Sequence, residues 1–218
     1  MMMPSPTTRR AALLLAAVAL TGCSVLPERP YQEVQRFVLR PERSETAPPA
    51  LRGPVLLVRG LRGAPGMEAR GLRILRPNGV VEVEYWSEWA APPVEATEDS
   101  LRQWLAASGL FSAVVGPGSR LRPDLVLEGE LLRLHAEPAQ GIARAGLSVL
   151  LLRQQRGDAG DLRIAGQFPM DGTAPLPGGA RSAGQVASSE AAAAMVAALG
   201  DALGRLEAAL RTTLARPG

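Results

Sequence analysis

The chain holds one cysteine and one histidine, so thiol and imidazole chemistry each have a single address. The cysteine closes the tetrapeptide Leu20-Thr21-Gly22-Cys23, and before it come Arg9, Arg10 and an uninterrupted apolar run from Ala11 to Leu20. This is the charged, then apolar, then small layout of a secretory signal, and it is shorter than the roughly 20 apolar residues that cross a bilayer. An apolar residue, a hydroxyl residue, Gly and Cys in that order form a bacterial lipobox. The peptidase needs small side chains before the cut, and the thiol accepts diacylglycerol. The plainer reading is an ordinary signal with an incidental Cys; position, spacing and the uniqueness of Cys23 favour lipidation. Residues 1–22 are therefore expected to be a signal peptide, 23–33 a lipidated N-terminus and tether, and 34–218 the folded domain. Each buried lipid CH₂ contributes about 0.8 kcal/mol, so several chains on Cys23 would hold the protein to a membrane without a spanning helix. Ser24, rather than Asp, follows the lipidated position and points to the periplasmic face of the outer membrane. The Arg9-Arg10 pair is a weak sign of twin-arginine export.

His135 lies between Leu134 and Ala136 in a strand-like stretch, where neither a serine-histidine triad nor a histidine metal site has its other members at a recognisable spacing. Glu128 and Glu130 fall on one side of that strand. An acid–base couple there is conceivable, but a solvated charged face is the simpler reading. No phosphate-cradling glycine spacing occurs in the Gly-rich stretch Gly60 to Gly71. The sequence therefore offers no catalytic, cofactor-binding or metal-binding residues; no enzyme and no cofactor are expected.

The elements that would carry these residues follow from periodicity. The hydrophobic fraction of 46% suits one folded domain. Removing the signal and its two Arg lowers the net charge from +3 to +1, which argues against a nucleic-acid partner. Val34 to Leu39 reads as a first strand with Phe37 and Leu39 on one face, Pro41 to Pro54 as a loop, and Val55 to Val58 as a strand buried on both faces. Gly60 to Gly71 reads as a long surface connection. Leu72 to Tyr85 reads as a hairpin about Asn78-Gly79, pairing Ile74 with Val83, Leu72 with Tyr85 and Arg73 with Glu84. Val94 to Ser108 is an amphipathic helix, with Thr97, Leu101, Trp104, Leu105 and Ser108 on one face and Gly109 as its stop. Phe111 to Val115 is a short strand. Asp124 to Glu137 is a long strand whose apolar phase changes at Leu131-Leu132, the mark of a bulge. Ile142 to Arg153 is a central strand. Asp161 to Phe168 alternates, with Leu162, Ile164 and Phe168 inward, and is joined to its neighbour by a turn over Arg156 to Gly160. Asp171 to Gly184 reads as exposed loop. Ser188 to Ala215 is a long helix striped by Met195, Leu199, Leu203, Leu206, Leu210 and Leu214, with Asp201–Arg205 and Glu207–Arg211 as supporting pairs. With few crossover helices, the expected fold is a mixed α/β single domain: a largely antiparallel mixed sheet packed against two main helices.

Tyr85, Trp86 and Trp89 crowd into five residues of a chain only 4% aromatic. The first reading is a core corner burying the turn from strand to helix. The second is a patch contacting a partner or a lipid tail.

Several segments together resemble one known family. They are the lipobox, the strand ending at Phe37-Val38-Leu39, the run Tyr85-Trp86-Ser87-Glu88-Trp89-Ala90-Ala91-Pro92-Pro93, and the helix with Leu101 and Leu105. Phe111-Ser112-Ala113-Val114, Leu127-Glu128-Gly129-Glu130-Leu131 and the Ala-rich C-terminal helix complete the set. The chain resembles the PqiC-like ABC-type transport auxiliary lipoproteins over nearly all of its mature length. That resemblance implies a periplasmic lipoprotein, docked on an MCE-domain protein and its associated ABC permease and ATPase, in a system moving phospholipid or other hydrophobic molecules between membranes. It implies no catalytic residues, and leaves a homo-oligomer open. The alternatives are a structural or assembly lipoprotein of another envelope machine, such as lipopolysaccharide or secretin assembly, and, further off, an envelope hydrolase relying on His135.

Overall fold

The computed structural model describes residues 31–155, 162–179 and 186–215. Cys23, the signal segment, most of the tether and the turn 156–160 lie outside the described residues. Among those described are nine strands and two helices. In chain order they are β1 (Gln35–Phe37), β2 (Val55–Val58), β3 (Arg62–Gly63), β4 (Gly71–Leu75), β5 (Val81–Trp89), α1 (Pro93–Ala106), β6 (Ala113–Val115), β7 (Leu125–Glu137), β8 (Ile142–Gln154), β9 (Leu162–Pro175) and α2 (Ser188–Leu214). They make one mixed sheet with both helices on one face, a single α/β domain.

The spine is β7. Along one edge it takes β2 at Leu125 to Leu127, β3 at Glu130 and Leu131, and β4 at Ala136, all parallel. Along its other edge it pairs antiparallel with β8, which pairs antiparallel with β9. The long ladders are antiparallel and the short strands join in parallel, a mixture that strand periodicity does not reveal. The β7–β8 register slips between Leu131 and Arg133, where the leucines change phase. Leu125, Leu127 and Leu131 before the slip, and Leu134 and Ala136 after it, therefore all reach the helix-covered core.

Four local expectations are corrected. First, β2 buries Leu56 and Val58, while Val55 and Leu57 are only half-buried. Second, residues 60–71 are not a plain surface loop: β3 sits within them, and Leu61 and Met67 are buried. The Glu98 carboxylate of α1 accepts the Leu61 N–H at 3.0 Å and fixes this crossover. Third, β9 continues through Asp171 to Pro175, residues read as loop because of their Gly and Pro. An edge strand tolerates Pro169 and Pro175, and Gly172 lies directly beneath Ala198 and Ala202 of α2. Fourth, Leu162 and Ile164 are exposed, Ile164 by 73%, while Phe168 is half-buried against the core. The β8–β9 pairing steps from Leu151↔Gly166 to Leu152↔Ile164, leaving Ala165 as an extra residue. That residue puts Ile164 and Phe168 on opposite faces.

Both helices match the expected apolar faces. In α1, Thr97, Leu101 and Leu105 are buried; in α2, Met195, Leu199, Leu203, Leu206 and Leu210 are. Pro93 opens α1 where its missing N–H costs nothing, and Gly109, at φ +69°, turns the chain away after it. Asp201 pairs with Arg205 at 3.1 Å and accepts the Thr173 N–H at 3.0 Å, tying α2 to β9.

Candidate functional site: an aromatic surface on the β4–β5 hairpin

Pro77 decides the hairpin. It holds φ near −65°, so it takes the second position of a turn in which the Gly79 N–H donates to the Arg76 carbonyl at 2.9 Å. Gly79 then supplies the positive φ, +80°, and among the described residues none but Gly has one. The loop thus holds three residues, closed by the Arg76 N–H to the Val80 carbonyl at 2.8 Å. A tight turn over Asn78-Gly79 would need positive φ at Asn78. The register moves by one from the expected pairing: Arg73 faces Val83 and Ile74 faces Glu82.

That shift decides which side chains are displayed. Leu72 and Ile74 point into the core, so Val81 and Val83 point away from it. Between Val83 and Glu88 the pairing jumps, from Arg73↔Val83 to Gly71↔Glu88, and β5 carries the extra residues. Past this bulge the inward face resumes with Ser87 and Trp89. The three clustered aromatics therefore divide. Trp89 is 1% exposed and is the core corner. Tyr85 and Trp86 are 80% and 41% exposed and stack edge to face, their ring centroids 4.8 Å apart. Val80, Val81 and Val83, just before them in the chain, are exposed too, so residues 80–86 display a run of apolar side chains.

The base of this surface is rigidly held. β1 pairs in parallel with the end of β5, Phe37 beside Trp89. Glu88 meets Arg36 at 2.8 Å and Arg70 at 3.3 Å. Arg70 also donates through Nε to the Trp89 carbonyl at 3.0 Å, while its backbone carbonyl accepts the Trp89 N–H at 2.7 Å. At the other end Arg76 pairs with Glu82 at 2.7 Å. Arg36 and Arg70 thus hold Glu88, and with it the strand end, next to the exposed rings. Exposed apolar residues gathered in one place carry information that scattered ones do not.

His135 and the carboxylates of β7 sit elsewhere. His135 lies on the sheet face away from the helices, its Nε2 2.9 Å from Glu137 Oε1, and Arg144 donates to the same oxygen at 2.8 Å. Glu128 pairs with Arg59 on that face, which is a charged surface as expected. Among the described residues no three His, Cys, Asp or Glu side chains group as a metal site. No helix of the described residues is long and apolar enough to cross a membrane.

No family model matches the chain, and no curated protein matches it in sequence. Its architecture does match solved structures. A Xanthomonas campestris protein of family DUF330 aligns over 84% of this chain and 94% of its own, with a TM-score of 0.62 and 22% identity. An uncharacterized protein aligns over 84% and 99%, with a TM-score of 0.57 and 14% identity. The hypothetical protein CT253 from Chlamydia trachomatis aligns over 75% and 98%, with a TM-score of 0.50 and 11% identity. At these identities the likeness is one of fold.

Proposed function

We propose that the protein is a non-catalytic docking subunit of an MCE-type lipid transport system, anchored through Cys23 at the periplasmic face of the outer membrane. The observation that carries this reading is the surface of Tyr85, Trp86, Val81 and Val83, set on a clamped strand end. Its two rings stack on each other beside a strand end held at Glu88 and Trp89, which leaves a partner less to order. The lipobox supports the anchor, and the DUF330 likeness supports the sequence resemblance at the level of fold.

The test is co-purification of the tagged full-length chain from bacterial membranes. The proposal expects an MCE-domain protein, with its permease and ATPase, in the eluate, depleted by the double variant Tyr85→Ala, Trp86→Ala. Recovery of lipopolysaccharide or secretin assembly proteins instead would move the chain to another envelope machine.

A further inference from the structure

Many arginines of this domain are matched to carboxylates: Arg36 to Glu88, Arg144 to Glu137, Arg211 to Glu207. Arg52, Arg153 and Arg163 are not. None of them hydrogen-bonds or ion-pairs with a described residue, and all three line one open cleft of about 880 Å³ at an end of the sheet. Arg52 comes from the turn before β2, Arg153 from the end of β8 and Arg163 from the start of β9.

Arg153 and Arg163 are direct cross-strand partners. Such positions hold their Cβ atoms about 5 Å apart, and like charges there destabilise a sheet. The extra residue Ala165 creates this juxtaposition: on the register that runs up to Leu151↔Gly166, Arg153 would face Ile164. Bulges that re-aim side chains in this way are found beside binding sites. The acid among the described residues of the cleft wall, Asp124, is engaged, its carboxylate accepting the Val55 N–H at 2.9 Å. Leu214 brings the carboxyl end of α2 to the wall, and its partial negative charge offsets about half a unit. Among the described residues a surplus of positive charge remains, on guanidinium groups whose planar forks fit phosphate oxygens in pairs.

We infer that this cleft binds a phosphate-bearing anion, either a free phosphate group or the headgroup of a lipid. The inference goes beyond the docking surface and does not rest on it, because it uses a different set of strand ends.

The test titrates the full-length chain at low salt with inorganic phosphate and, separately, with water-soluble dihexanoyl phosphatidate. At least one probe is expected to bind, and the R153Q/R163Q variant to lose about tenfold or more in affinity. R120Q, outside the cleft, should stay within about twofold, and binding should weaken as salt rises. Equal affinities for the two probes identify a free-phosphate site; a lipid preference of about tenfold identifies a headgroup site. Binding of neither probe, or wild-type affinity in R153Q/R163Q, overturns the inference. If that variant does not fold, R52Q carries the test, since Arg52 belongs to no strand pairing; a loss of affinity supports the site and unchanged affinity overturns it.

Discussion

Trp104 on α1 donates its indole N–H to the Glu207 carboxylate on α2 at 2.9 Å, and this bond joins the two helices. The same carboxylate pairs with Arg43 from the segment after β1 and with Arg211 at 3.0 Å, while Arg43 also lies 5.2 Å over the Trp104 ring. Three parts of the chain that are far apart in sequence thus converge on one nearly buried carboxylate.

That carboxylate sets an acid limit on stability. Burial pushes Glu207 up, but the bonds from Arg43, Arg211 and Trp104 outweigh it and hold the group below its usual 4.5. A depressed folded-state value gives stability that is complete above the unfolded-state value and is lost as pH falls through the folded one. Glu207→Gln should lower stability by about 2–3 kcal/mol at neutral pH, the scale of hydrogen bonds to a charged group. It should also flatten the loss below about pH 4.5. Thermal melts of both proteins from pH 3 to 7 check this, and parallel curves would contradict it.

Trp86 and Trp89 should separate binding from folding. Trp89→Ala should cost about 3–5 kcal/mol, as for a fully buried ring. Trp86→Ala should leave stability within about 0.5 kcal/mol. Urea unfolding of the two variants reads the difference directly.

Gly172 should tolerate no side chain. A Cβ there would lie 2.1 Å from the Ala198 carbonyl oxygen and 2.4 Å from the Ala202 nitrogen, both helix backbone. Gly172→Ala must push α2 off β9 and should cost about 3 kcal/mol or more, seen as a lower denaturant midpoint.

Gly79 should be sensitive for a different reason. Nothing lies within 4 Å of its Cβ direction, so a substitution meets only the backbone strain of φ +80°. Gly79→Ala should cost about 1 kcal/mol and leave the fold intact.

The same residues explain what the sequence reveals. The β7 bulge is legible because successive leucines change phase, and both helices are legible because their buried faces repeat at helical spacing. The hairpin is legible but its register is not, because Pro77 and Asn78-Gly79 each suggest a turn and only their competition picks one. Ile164 reads as inward because alternation carries no sign of the extra Ala165. The parallel edges of β7 come from chain segments up to seventy residues away, beyond any local pattern. For the surface, the crowding of Tyr85, Trp86 and Trp89 is plain in the sequence. Which rings face outward depends on the β5 bulge, which composition alone does not encode.

Docking through this surface can be read in cells by placing a photo-crosslinking phenylalanine at Tyr85. The account expects a light-dependent adduct with an MCE-domain chain and none from the same residue placed at Leu121, an exposed site outside the patch. No adduct at Tyr85, or equal adducts at both positions, would contradict it.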